Sequence, residues 1–168
     1  CCTEKVPLIG ADGYEALWNQ RHHLATQHKL GVGRIEHLLN RYGSLALEVL
    51  ALIAERPDLA EPLAGAEDYL RAEVVYGVTH EGARHLDDLI ARRTHISIET
   101  FHRGTEVVEE VAVLMGKELG WSRKQRTLEI NHYRKRVEAE LESQTMPDDK
   151  TADAARMGAA DVVPVAHV

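Results

Sequence analysis

Residues 105–143 read TEVVEEVAVLMGKELGWSRKQRTLEINHYRKRVEAELES, and this stretch decides the fold. Val107, Val108, Val111, Leu114, Met115 and Leu119 recur at the spacing that puts apolar side chains on one face of a helix. Glu106, Glu109 and Glu110 stand at the positive end of its dipole and Lys117 at the negative end. Gly120 supplies a C-terminal cap. Ser122 followed by Gln125 then forms a capping box, which opens a second, longer helix reaching about Ser143. Its buried stripe is expected to be Ile130, Tyr133, Val137 and Leu141.

Upstream, the same signals recur over shorter distances. Asp12 and Glu15 resemble a capping box, so a helix is expected from Gly13 to about His28, with Leu17, Trp18, Leu24 and Ala25 on one face. Gly31 and Gly33 punctuate, and a short helix follows from Gly33 to Arg41. Ser44 can cap a helix from Leu45 to Glu55, which Pro57 prevents from continuing. Pro57, Pro62 and Gly65 mark a loop over residues 57–68. A helix is expected over Leu70 to His80 and another from Gly82 to about Arg93. Thr94 to Glu99 alternates like a strand but has no partner, so extended loop is expected there. The fold class is therefore all-α: a single helical domain of about six to seven helices with an irregular lead-in and tail. The boundaries are a lead-in over 1–12, the helical domain over 13–145 and a tail over 146–168. Trp18, Leu50, Leu114 and Val137 are expected in one core.

The chain has 168 residues, 44% of them hydrophobic, enough for one domain with a real core. A net charge of −7 argues against non-specific nucleic-acid binding, which needs basic surface to displace counterions. The longest apolar run, Leu45 to Ala54, is too short to span a bilayer. Cys1 and Cys2 are the only cysteines; adjacent thiols cannot staple distant segments, and they fit a reducing cytosol. Cys1 stands where an initiator Met is expected, so the chain is expected to be cut from a larger protein.

No stretch carries a complete catalytic motif. In His80-Glu81-Gly82-Ala83-Arg84-His85 the two histidines are five residues apart, whereas a helical zinc-protease motif needs four. Gly31-Val32-Gly33-Arg34-Ile35-Glu36 has Glu36 where a dinucleotide fingerprint has its third glycine, and a helix precedes it where a strand should. His22, His23, His28 and His37 cluster without a supporting carboxylate or thiol and read as solvated helix surface. The basic run Arg123, Lys124, Arg126, Arg134, Lys135 and Arg136 reads as a solvated face rather than a nucleic-acid reader, since compensating glutamates follow. Residues 81–94 are densely charged. Glu81, Asp88 and Arg92 share a stripe on a regular helix, and Arg84 with Asp87 makes a further pair, which together read as a structural ion network. Arg93 is rotated about 100° from Arg92 and has Leu89 one turn before it. It is expected to reach another segment or, preferably, an interdomain partner.

Four blocks occur in an order that resembles a known family. They are Arg41-Tyr42-Gly43 with Leu45 to Leu50, then Ala72 to Tyr76 leading into Glu81-Gly82-Ala83, then Leu86 to Thr94, then Val111-Ala112 through Trp121. Together they resemble the carboxy-terminal domain of aerobic FAD-dependent glycerol-3-phosphate dehydrogenases and the related glycerophosphate oxidases, over about Val6 to Ser143. The resemblance implies a parent enzyme that oxidises sn-glycerol 3-phosphate to dihydroxyacetone phosphate, with FAD taking the hydride and passing electrons to quinone or oxygen. It implies an accessory domain: no catalytic, metal or cofactor-binding residue is carried over, and FAD belongs to the parent. The implied partners are the amino-terminal flavin and substrate regions of the parent chain. A second copy and a peripheral membrane contact of the parent stay open, and nucleic acid is not expected. The implied location is cytoplasmic, with the parent at the inner face of the cell membrane. The competing reading is a stand-alone helical interaction or nucleic-acid-binding regulatory domain.

Overall fold

The computed structural model describes residues 3–159, so Cys1, Cys2 and positions 160–168 of the expected tail lie outside the described residues. The chain forms two compact units, residues 1–62 with 70–72, and residues 63–69 with 73–168.

In the first unit, α1 (Tyr14–Asn19) and α2 (Arg21–His28) replace the single helix expected over 13–28. The break has a tertiary cause. Arg21 places one guanidinium nitrogen 3.0 Å from the Trp18 carbonyl, which a continuous helix would have bonded to residue 22. Its Nε donates to Glu36 at 2.8 Å, and its charge lies over the Trp18 ring. Trp18 is accordingly half-buried rather than in a core. The Asp12 cap also fails: Gly13 is the N-cap residue, in left-handed conformation and without a side-chain bond. Helix α3 (Val32–Tyr42) buries Ile35, Leu38, Leu39 and Tyr42, and α4 (Ala46–Glu55) buries Ala46, Val49, Leu50 and Ile53, each set at helical spacing. Ser44 sits in a short 3₁₀ turn between them and does not cap α4 with its side chain. Its backbone N–H instead donates to the Gly10 carbonyl at 2.8 Å, which ties the lead-in to the end of α3.

The expected loop over 57–68 contains a 3₁₀ turn (Pro57–Ala60) and a small hairpin of β1 (Pro62–Leu63) and β2 (Ala66–Leu70). Ala64 and Gly65 make its two-residue turn, with Gly65 at φ 87°. Strands this short leave almost no periodic trace in sequence.

The second unit is built on α5 (Arg71–Thr79), α7 (Val108–Leu119) and α8 (Arg123–Ser143). Gly120, at φ 68°, caps α7, and the Ser122 hydroxyl accepts the Gln125 N–H at 3.1 Å to open α8. The core gathers Leu63, Tyr69, Val74, Leu86, Leu89, Ile90, Ile96, Val107, Val108, Val111, Leu114, Met115, Ile130, Tyr133 and Val137. Leu50 belongs to the first unit, so the four residues expected in one core are divided. Leu141 is 45% exposed and leaves the α8 stripe.

Residues 80–85 are not helical, and Asp88–Arg93 winds as a π-helix. Thr94 closes it, its N–H and hydroxyl both reaching the Leu89 carbonyl five residues back, at 2.9 and 2.8 Å. Thr94 to Glu99 is not extended either: α6 (Ile96–Glu99) is a single turn entered through His95 at φ 61°. After α8 the chain turns back, and α9 (Asp149–Met157), capped by Asp148, lies along α8 of the same chain and buries no residue. That helix occupies part of what the composition marked as tail.

Leu114 is 5% exposed inside the core. Leu114→Ala is expected to lower the unfolding free energy by ~2–5 kcal/mol in chemical denaturation. A loss under about 0.5 kcal/mol, typical of surface changes, would mean the α7 stripe packs against nothing.

Candidate functional site

The residues that sequence singled out lie in the second unit, around the π-helix. The wide winding puts residues four and five apart near one another, and Arg92 uses both. One guanidinium nitrogen bonds Asp87 and lies 3.2 Å from Asp88. The other Asp88 oxygen accepts the backbone N–H groups of Arg84 and His85, at 3.1 and 3.0 Å, and so holds the entry to the π-helix. Asp87 also faces Arg136 at 3.8 Å. The Arg84 guanidinium makes no ion pair among the described residues. Glu81 is not a partner of Arg92, because the helical stripe that would join them is broken at residues 80–85. Arg93 is exposed, and its Nε donates to the Glu81 carbonyl at 3.0 Å.

A stronger polar centre escaped the sequence reading. Glu129 on α8 is 1% exposed, and its carboxylate accepts from His85 Nδ1 at 2.9 Å, Gln125 Nε2 at 3.3 Å and the Leu86 N–H at 3.4 Å. The signal available was its position beside Ile130, one turn from Tyr133, on the face the apolar pattern marks as buried. A charge there must find donors. His80 stacks on Tyr76 and contacts the Thr79 hydroxyl at 2.7 Å, so the two histidines of the 80–85 stretch serve separate local structures. No group of three His, Cys, Asp or Glu residues is placed to hold a metal ion among the described residues.

Next to this centre the backbone is strained. His102 and Arg103 are consecutive non-glycine residues at φ 52° and 53°, and Gly104 follows at φ 69°. Left-handed conformations of this kind persist where surrounding structure over-determines them. Tyr133 does so by donating its hydroxyl to the Arg103 carbonyl at 2.6 Å. Burial and the nearby charges of Asp87 and Glu140 push its phenol well above the usual range, so it remains a donor. The Arg103 guanidinium meets Glu140 at 3.1 Å. The braced turn projects Phe101, 89% exposed, and the preceding turn projects Ile98, 74% exposed. Beside them is an open cleft of about 390 Å³, walled by Gly65 to Tyr69 and by Glu99 to His102 with Glu106. The arrangement offers rigid surface for contact; it assembles no nucleophile with an adjacent base.

The matching family model describes the C-terminal domain of alpha-glycerophosphate oxidase and covers residues 1–126. A glycerol-3-phosphate dehydrogenase of Mycobacterium leprae is 50% identical over 157 residues, which are 94% of this chain and 27% of that protein. Glycerol-3-phosphate dehydrogenase 2 of Mycobacterium tuberculosis is 48% identical over the same shares. A probable mitochondrial glycerol-3-phosphate dehydrogenase of Dictyostelium discoideum is 30% identical over 132 residues, 79% of this chain and 20% of that protein. The chain thus spans about a quarter of the length of its mycobacterial relatives. No solved structure matches.

Proposed function

The chain belongs to the family of the C-terminal domain of alpha-glycerophosphate oxidase, and from this we propose that it is the accessory helical domain of an FAD-dependent glycerol-3-phosphate dehydrogenase. The observation that carries the reading is the family match over residues 1–126, joined to 50% identity across 94% of the chain. In this reading the parent oxidises sn-glycerol 3-phosphate to dihydroxyacetone phosphate and passes electrons to quinone. FAD supplies the hydride acceptor and sits in the amino-terminal regions.

This chain's own residues do not fit FAD. Gly31 and Gly33 stand at the start of α3 after helix α2, whereas a dinucleotide cradle needs a glycine turn between a strand and a helix. No hydride step is therefore assigned to the fragment. Its contribution is surface and rigidity. Ile98 and Phe101 in one unit, and Val6, Leu8 and Ile9 in the other, are exposed apolar side chains of the kind that a neighbouring domain covers. Arg93, exposed and directed by its bond to Glu81, is proposed as a further contact to the flavin region. We propose a cytoplasmic location for the parent, at the inner face of the membrane. No helix among the described residues is long and apolar enough to cross a membrane.

Two preparations test the reading. The purified chain should be colourless and should not reduce a dye with sn-glycerol 3-phosphate. A chimera in which it replaces the matching quarter of the Mycobacterium leprae protein should bind flavin and turn over that substrate. A chain that stays yellow after dialysis, or a flavin-loaded chimera without turnover, would overturn it.

A further inference from the structure

The basic residues that open α8 work against that helix's own dipole. Its first turn holds Arg123 and Lys124 and no acidic residue, at the end where the backbone dipole is positive. The neighbouring α7 follows the rule and opens with Glu109 and Glu110. Neither the Arg123 nor the Arg126 guanidinium makes an ion pair or hydrogen bond among the described residues. Arg134, further along α8, differs: Glu109 answers it at 3.0 Å. The start of α8 therefore gathers positive charge, and its own chain supplies Arg123 and Arg126 with no counter-charge.

Arg126 is not a free surface side chain. It is half-buried, and its Nε is shut off from solvent without an acceptor. Its stem is laid on a glycine of α7. A Cβ on Gly116 would lie 2.8 Å from Arg126 Cδ and 3.1 Å from Cγ, so the bare backbone is what leaves room for it. A guanidinium donor enclosed in this way costs free energy unless something accepts from it. Arg123 and Arg126, three residues apart on one helix face, line a cleft of about 260 Å³ between α7 and α8. Ala112, Val113 and Ile130 line it too, and their side chains offer no acceptor. Glu109 is the one carboxylate in the lining, and it is held by Arg134. The Thr127 hydroxyl donates to the Arg123 carbonyl at 3.1 Å.

We propose that this cleft is a binding site for a phosphate dianion, free or carried by a small monoester. A guanidinium presents a fork of donors that matches two oxygens of an oxyanion. A carboxylate has only two oxygens, which one fork consumes, whereas a phosphate has enough for both arginines. The positive end of the α8 dipole adds to the attraction, and the apolar lining strengthens charge-assisted bonds by keeping the local dielectric low. Occupation gives the Arg126 Nε an acceptor and turns the unfavourable first turn of α8 into a favourable one. An adjoining hollow of about 550 Å³ shares Arg123 and Thr127 with the cleft and is also lined by Leu128, so the organic part of a monoester has a place to lie. The site uses residues of the second unit alone and is independent of the parent's activity.

Calorimetric titration of the chain with inorganic phosphate, at about pH 8 where phosphate is dianionic and at ionic strength held constant with chloride, should show saturable binding to one site per chain. Arg126→Met and Arg123→Met should each weaken it about tenfold or more, the loss of one charge-assisted fork. Lys135→Met removes the same charge half a turn round α8 from Arg126 and should leave binding unchanged. A second titration with sn-glycerol 3-phosphate separates the two sources. Tighter binding assigns the hollow to the organic part of a monoester, and equal or weaker binding makes free phosphate the ligand. Folding is read from melting in chloride alone, where Arg126→Met should melt no lower than the unchanged chain, because it removes an enclosed donor that has no acceptor. Absence of saturable binding overturns the proposal. So does acetate binding as tightly as phosphate, or Lys135→Met weakening binding as much as Arg126→Met. A marked fall in melting temperature for Arg126→Met in chloride would also overturn it, by showing that the guanidinium has its partner within the chain.

Discussion

Gly43→Ala is expected to destabilise the first unit by about 4 kcal/mol, among the larger effects of any single methyl in a protein. Gly43 has φ 59° and ψ −134°, a conformation that side chains with a Cβ rarely adopt. The added Cβ would lie 2.1 Å from the Gly10 carbonyl oxygen and 2.7 Å from its carbon. Both are backbone atoms, so no flexible side chain can move aside. A Cβ on Gly10 would likewise meet the Tyr42 oxygen at 2.6 Å. Withdrawing the lead-in to make room would lengthen the 2.8 Å bond from the Ser44 N–H to the Gly10 carbonyl. Gly13→Ala is the control. Gly13 also has positive φ, at 81°, but nothing lies within 4 Å of its would-be Cβ, so only the conformational cost of about 1 kcal/mol applies. Denaturant titrations of both variants decide the matter. Equal losses would mean that the lead-in does not pack on the end of α3.

Glu129→Ala is expected to cost about 3 kcal/mol in the second unit. The substitution strands His85 Nδ1, Gln125 Nε2 and the Leu86 N–H in a place water scarcely reaches, and an abandoned buried donor costs more than its bond contributed. Glu129→Gln keeps one acceptor and should fall between alanine and the parent chain. The energetic link between helix α8 and the 80–86 segment is read by a double-mutant cycle with His85→Ala. Coupling should exceed about 1 kcal/mol, because both residues share one hydrogen-bonded centre. If the two single losses simply add, to within about 0.5 kcal/mol, the His85–Glu129 contact is not what anchors that segment.

These two sites differ in how much of them sequence could reveal. Glu129 was visible in principle, as a carboxylate within the apolar stripe of Ile130, Tyr133 and Val137, although its partners were not. His85 is 44 residues away, and no local pattern joins the two. Gly10 and Gly43 read as ordinary punctuation, because what makes them obligatory is the approach of two backbones 33 residues apart in the chain. The ion network was legible in composition and misjudged in geometry. Asp87, Asp88 and Arg92 meet through the π winding, while the Glu81 stripe and the Arg84–Asp87 pair both need a regular helix through residues 81–87 that does not form.

What the sequence determined by itself is the helical class, the family, and the elements whose signals are local. Helices α3, α4, α7 and α8 follow from apolar periodicity sustained over ten residues or more, and the α7–α8 junction follows from Gly120 and Ser122, whose cap bonds span only a few residues. Tertiary structure alone decided the break at Gln20, the π-helix at 88–93, the single turn at 96–99 and the left-handed pair His102–Arg103. Each of these is locally unfavourable or indifferent. Each is held by a distant group: Glu36 on Arg21, Arg136 facing Asp87, the Tyr69 hydroxyl on Glu99, Tyr133 on the Arg103 carbonyl. A conformation with a local cost is stable only where contacts from elsewhere in the chain offset it, and a linear pattern contains the cost but not the contact.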